Sequence, residues 1–299
     1  MFSIVPVKNS GNIHFFTDTV NHSVYRIETE NRLYIFKAYN TMGWPEDGKL
    51  PFVYRKLDEY QIPHAKMIIF SREDENFPNG YMIEECLPGI TADRLSLSGD
   101  DALAFYQKLA ALVSRIHRIS MTGYGYTGNG IAEWTSFSQY TYDSLNDYAI
   151  KSVDEGILAA EDFEKIGQAI REKTKICDMA PPVLCHGDLT SKNMLVDAGE
   201  ITLIDWDDVH SLCWIDDVAR LTLLLKLEYG DRAAAVYRKA FFDHYETEQD
   251  KSLFYEVEDI LQVRLELDLL YCFAGKPQFR VIKRELGQSL EKCGIKCNL

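Results

Sequence analysis

The chain has 299 residues, 46% apolar and 26% charged, which suits one large domain or two modest ones and argues against disorder. Its formal net charge of −14 argues against a nucleic-acid partner, because phosphate backbones need clustered cations. An acidic surface serves solubility or draws cationic ligands.

The predicted elements begin with strands. Val24–Glu28 alternates in polarity, Thr29–Asn31 is turn-prone and Leu33–Lys37 resumes the alternation, which predicts a hairpin. A short helix is expected from Phe52 to Tyr60, with Pro51 suited to its first turn. Strands follow at Ala65–Phe70 and Tyr81–Glu85, before Pro88-Gly89 breaks the pattern. Beyond Gly89 the periodicity becomes helical, first at 101–119 and then at about 137–153, 161–177, 214–226, 231–246, 252–273 and 279–292. Embedded among these, Met194–Val196 and Ile201–Ile204 form a second predicted hairpin around Asp197-Ala198-Gly199-Glu200. The expected fold is α+β and bilobal: a small sheet lobe over 1–87 and a larger, mainly helical lobe over 88–299 that carries −11 of the net charge.

No run approaches the roughly 18 apolar residues needed to cross a bilayer. The start lacks the charged segment and apolar run of a secretory leader. The seven cysteines are scattered, and Cys293 and Cys297 lack the second pair that a zinc site needs. A cytoplasmic protein with free thiols and no membrane partner is expected.

Polar groups gather around the second hairpin. His186 and Asp188 precede it, Asn193 enters its first strand, and Asp205 ends the other. A hairpin brings its ends together, so Asn193 and Asp205 should lie close. One carboxylate with one amide oxygen suits magnesium. Asp188 is placed to orient a hydroxyl and accept its proton, and His186 is better read as a loop-holding residue. Lys37, at the end of an apolar strand, is the natural cation for phosphates. Two other patterns carry no site. Gly123–Gly128 matches G-x-G-x-x-G but follows a helix and has no βαβ unit around it, so a loop is expected. Gly275-Lys276 lacks the earlier glycine of a P-loop.

With His186-Gly187-Asp188, Asn193, Leu203-Ile204-Asp205-Trp206-Asp207 and Asp216-Asp217-Val218-Ala219-Arg220-Leu221, the chain resembles the aminoglycoside phosphotransferase and choline-kinase-like enzymes. Ile116-His117 and Met82–Gly89 support the likeness. The resemblance implies a protein-kinase-like fold, a nucleotide-binding first lobe, and a second lobe with the catalytic loop and acceptor site. By it, Asp188 is the catalytic aspartate, Asn193 and Asp205 bind Mg2+, and Lys37 contacts the α- and β-phosphates of ATP or GTP. The hinge backbone at Glu84 and Cys86 would hold adenine, and Asp217 would be a supporting carboxylate.

Departures accompany the likeness. The loop Thr17–Ser23 that should cover the nucleotide has no glycine; its amides, up to Ser23, are expected to cradle phosphate. No glutamate stands where a partner for Lys37 is expected, and Glu46 is preferred for it. Lys192 is a second candidate cation near the γ-phosphate.

Only eight residues separate Asp205 from Trp214, and Gly187 stands where protein kinases carry arginine. A small acceptor is therefore expected, not a protein. The acidic second lobe suggests a cationic one, with an aminoglycoside-type antibiotic favoured and a resistance role. A metabolic kinase for choline, a sugar or a related metabolite is the alternative; a nucleotide-binding module with little activity is another. Acceptor candidates are Asp207, Asp208, Glu266 and Asp268, although Glu266 and Asp268 point roughly 200° apart on one helix.

Overall fold

The computed structural model describes residues 12–145, 152–154 and 156–297. Its first lobe is an antiparallel sheet in the order β1-β2-β3-β5-β4, made of β1 (Ile13–Asp18), β2 (His22–Glu28), β3 (Leu33–Tyr39), β4 (Met67–Ser71) and β5 (Tyr81–Glu85). The β2–β3 hairpin closes as its sequence predicts, with Thr29 N donating to Arg32 O at 2.9 Å. Helix α1 (Lys49–Glu59) buries Leu50, Val53, Tyr54 and Leu57, an i, i+3, i+4, i+7 stripe.

Pro88-Gly89 then leads into the short β6 (Ile90–Thr91), which pairs with β10 (Met194–Asp197). Gly89 has φ 123°, and a Cβ there would stand 2.6 Å from Val196 O. Only glycine allows this close pass of linker and hairpin. The expected hairpin forms from β10 and β11 (Glu200–Leu203), with Met194 opposite Leu203 and with Asp197 and Glu200 paired in the strands instead of in the turn.

The helical lobe contains α2 (Gly99–Ile116), α3 (Phe137–Asp143), α4 (Ala160–Thr174), α5 (Trp214–His244), α6 (Ser252–Cys272) and α7 (Phe279–Lys292). The helix expected over 137–153 is seen as far as Asp143; 146–151 lie outside the described residues. The two helices expected over 214–226 and 231–246 form one element kinked at Gly230, whose φ and ψ are 75° and 164°. One apolar core runs through Leu50, Leu109, Trp206, Trp214, Phe241, Leu261 and Leu286, joining both lobes.

One expectation is corrected. Gly123–Gly128, read as a loop, is largely strand β7 (Tyr124–Gly128), paired with β8 (Ile131–Trp134) and with β12 (His210–Leu212). Its middle glycine makes room for a ring: a Cβ at Gly125 would lie 2.4 Å from the Trp134 side chain. The third partner strand, β9 (Val183–Cys185), also pairs with β12 and delivers the chain to His186. Runs of three residues carry too little periodicity to be read in advance.

Candidate active site

The loop after β9 is fixed from behind by one carboxylate. Asp217, in the first turn of α5 and 1% exposed, accepts from His186 N at 2.7 Å and from Gly187 N at 2.9 Å. His117 Nε2 lies 3.1 Å from the same carboxylate, and its Nδ1 lies 2.7 Å from Tyr245 Oη. Burial opposes ionisation of Asp217, but the bond from His117 and the loop amides outweigh it and hold the carboxyl below its usual range. Gly187 is required here. Its φ is 79°, and a Cβ would meet Asp208 O at 1.9 Å.

His186 braces the loop against the hairpin. Its Nε2 lies 3.1 Å from Ile204 O, its Nδ1 accepts from Asp188 N at 3.3 Å, and its ring packs on Trp206 at 4.7 Å. Burial lowers its pKa, so a neutral ring with Nε2 donating fits both bonds. The hairpin ends do meet: Ile204 N donates to Asn193 O at 3.0 Å. Asn193 Nδ2 donates to Asp188 Oδ2 at 2.8 Å and to Asp188 O at 3.1 Å, which turns its amide oxygen away from Asp188. Burial raises the Asp188 carboxyl pKa, opposed chiefly by Arg220.

Asp205 adopts a left-handed conformation, φ 64°, uncommon for a non-glycine residue and frequent at functional sites. It meets Lys37 across the lobes: Lys37 Nζ lies 2.5 Å from Asp205 Oδ1 and 3.0 Å from Asp207 Oδ2. Tyr39 Oη donates to Asp207 Oδ1 at 3.2 Å. Burial disfavours the Lys37 charge, but Asp205 and Asp207 outweigh it and raise its pKa well above the usual value. Asp205 is half-buried, and although burial acts to raise its pKa, Lys37 holds it below the usual carboxylate range. Asp207 is pushed up by burial.

Several expected placements differ. Glu46 pairs with Lys49, not Lys37; Lys49, fully buried at the start of α1, also donates to Asp207 O at 3.2 Å. Lys37 has Asp205 and Asp207 in its place, because the hairpin end reaches it more directly than the loop before α1. The covering turn satisfies itself: Thr19 N donates to His22 O at 2.9 Å, and Thr19 Oγ1 accepts from the amides of Asn21 and His22. Ser23 Oγ donates to Asp18 at 2.6 Å. These groups are hydrogen-bonded within the turn in this conformation. Cys86 N donates to Leu33 O at 3.1 Å, so that amide extends the sheet. Glu84 lies inside β5, opposite Ile35 and Met67. Lys192 is exposed on the loop.

The acceptor candidates separate. Asp207 belongs to the Lys37 cluster and is 1% exposed. Glu266 is also 1% exposed and accepts from Ser289 of α7 at 3.0 Å; the helical angle that separates it from Asp268 turns it into the α6–α7 contact. Asp208 and Asp268 are half-buried. Asp208 is raised by burial and by Asp188, and Asp268 acts on Asp216 and Arg220. Arg264 lies 3.4 Å from Asp216 Oδ1 and stacks over Tyr140 at 5.3 Å. Sequence reasoning gave no role to the side chains of Arg220, Arg264, Lys49 or His22. Arg220 stood inside a quoted motif, whereas His22, 3.8 Å from Asp207 and stacked on Trp44 at 5.7 Å, had no local signal.

A sheet lobe placing a buried lysine over an aspartate-bearing hairpin of a helical lobe defines a kinase-like small-molecule phosphotransferase. The chain belongs to the phosphotransferase enzyme family (APH), whose family model matches residues 12–253. Comparison with curated proteins gives no significant match. Among solved structures, a thermostable mutant of aminoglycoside phosphotransferase APH(4)-Ia with AMP-PNP and hygromycin B is similar at TM-score 0.67 and 17% identity, covering 97% of this chain and 94% of that one. The amicoumacin kinase hAmiN, with AMP-PNP, Ca2+ and Ami, gives TM-score 0.68 at 16% identity, over 95% and 88%. A candidate fructosamine-3-kinase of Thermobifida fusca gives 0.65 at 15%, over 94% and 92%. At these identities the likeness shows the fold. No helix among the described residues is long and apolar enough to cross a membrane.

Proposed function

We propose that the protein transfers the γ-phosphoryl group of ATP to a hydroxyl of a small cationic acceptor, with an aminoglycoside-type compound favoured. The observation that carries this is the convergence of Asp188, Asn193 and Asp205 from the helical lobe with Lys37 from the sheet lobe. The AMP-PNP complexes of similar structures support ATP as donor.

The residues fit a magnesium ion. Asp205 and the Asn193 amide oxygen are hard donors, and the Lys37 ammonium faces both Asp205 and Asp207, which leaves negative charge for a divalent cation. The chemistry such an ion supplies when bound is neutralisation of phosphate oxygens. Asp188, aligned by Asn193 Nδ2, orients the acceptor hydroxyl and accepts its proton late in the transfer. Lys37 adds positive charge at the phosphates, and Asp217 keeps the loop in place through two amides. Arg220 is flanked by the carboxylates of Asp188, Asp268 and Asp216, with Arg264 opposing them, and Asp208 adds its charge at Asp188, which favours an acceptor bearing ammonium groups.

Asp188→Ala should lose several orders of magnitude in turnover while still binding magnesium-AMP-PNP. Near-normal turnover by that variant would remove the assignment. The acceptor class is tested by ADP release with aminoglycosides, amino alcohols and sugars; selective turnover of neutral sugars would overturn the cationic preference.

A further inference from the structure

Helix α1 presents no carboxylate on its buried face; what it presents there is Tyr54, whose hydroxyl donates to Glu84 Oε2 at 2.5 Å. Glu84 is 5% exposed and Tyr54 4%. In the β3–β5 register Lys37 stands opposite Met82 and Ile35 opposite Glu84. Alternation along a strand therefore puts Lys37 and Glu84 on one face, as diagonal neighbours within reach of two long side chains. A glutamate buried on this face needs a counter-charge. Burial raises the Glu84 carboxyl pKa, and Lys37, ahead of the Tyr54 bond and His64, is the group that most opposes this rise.

We propose that Glu84, held by Tyr54, is a positioning residue that keeps the Lys37 ammonium aimed at the nucleotide phosphates. The inference rests on the kinase reading and deepens it. Lys37 has three carboxylates around it, and two of them, the half-buried Asp205 and the buried Asp207, belong to the other lobe. When Asp205 turns to the nucleotide's cation, Glu84 remains as the partner from within the sheet lobe. Tyr54 fixes the rotamer of Glu84, so the placement of α1 against the sheet is transmitted to the lysine. At its other end the same helix holds Asp207 O through Lys49, so both sides of the Lys37 cluster are referred to one rigid element.

The test uses the full chain, with magnesium-AMP-PNP and adenosine as separate calorimetric probes. Glu84→Gln preserves shape and the bond from Tyr54 but removes the charge. It should weaken magnesium-AMP-PNP about tenfold, leave adenosine affinity unchanged and leave the melting temperature equal or higher. Tyr54→Phe should weaken magnesium-AMP-PNP about threefold, and its effect should vanish in the Glu84→Gln background. Unchanged magnesium-AMP-PNP affinity in Glu84→Gln overturns the inference alone. An equal loss for adenosine assigns Glu84 to the nucleobase and also overturns it. A wild-type protein that binds no magnesium-AMP-PNP overturns the kinase reading and this inference together.

Discussion

Asp217 shows how much one residue can determine without touching a reactant. Two amides and a histidine converge on its carboxylate, so an amide side chain in its place cannot accept from all of them. Asp217→Asn should cost about 2–4 kcal/mol in stability and lower turnover more than it raises the acceptor KM, measured by denaturant titration and steady-state kinetics. Gly187 is constrained by its neighbours instead of by charge. With φ 79° and Asp208 O in the space of any Cβ, Gly187→Ala should displace the loop, costing about 2 kcal/mol or more; wild-type turnover in that variant would show the loop to be compliant. Both residues were visible in the motif. The reason each is needed was not, because their partners lie across the fold at His117, Tyr245 and Asp208.

At the scale of elements, the packing of α6 on α7 carries a pH dependence. Glu266 is pushed up to about 8, first by burial, with the Ser289 bond and Lys226 opposing that rise and Glu285 adding to it. In the unfolded chain it titrates near 4.5. Between those values the folded state keeps a proton that the unfolded state has released, so unfolding releases a proton and stability falls as pH rises through the window. The stability is full below the unfolded value and lost by the time pH passes the folded one. The size is on the order of 4 kcal/mol. Glu266→Gln should flatten this slope and raise the melting temperature at pH 8; parallel wild-type and variant curves from pH 5 to 8 would mean the carboxyl is ionised throughout. The sequence reading had offered this residue to the acceptor. Helical spacing said that only one of Glu266 and Asp268 could face a pocket, but which one depended on where α7 packs.

Across the whole molecule, the site exists only where the lobes meet. Lys37 comes from one, Asp205 and Asp207 from the other, and Lys49 crosses between them to Asp207 O. Nucleotide binding should therefore stabilise both lobes in a single transition. At a hundredfold excess over Kd the gain is about 2.7 kcal/mol, or several degrees of melting temperature for a chain of this size. Calorimetry with and without magnesium-AMP-PNP checks it; two transitions, of which only one moves, would contradict a shared site. Lys37→Ala should remove most of the shift.

The sequence by itself determined the two-lobed α+β plan, the two hairpins and the residues gathered from His186 to Asp205. These follow from local rules of alternation, helical period, turn residues and the closeness of hairpin ends. Tertiary structure decided the partners. It gave Lys37 the aspartates of the other lobe and gave Glu46 to Lys49. It closed the Thr19 turn on itself, drew Gly123–Gly128 into a strand, and sent Glu266 into a helix contact. The physical reason is common to all of them. A side chain's chemistry is local, but burial and charge pairing depend on which distant groups the packed core brings within a few ångströms.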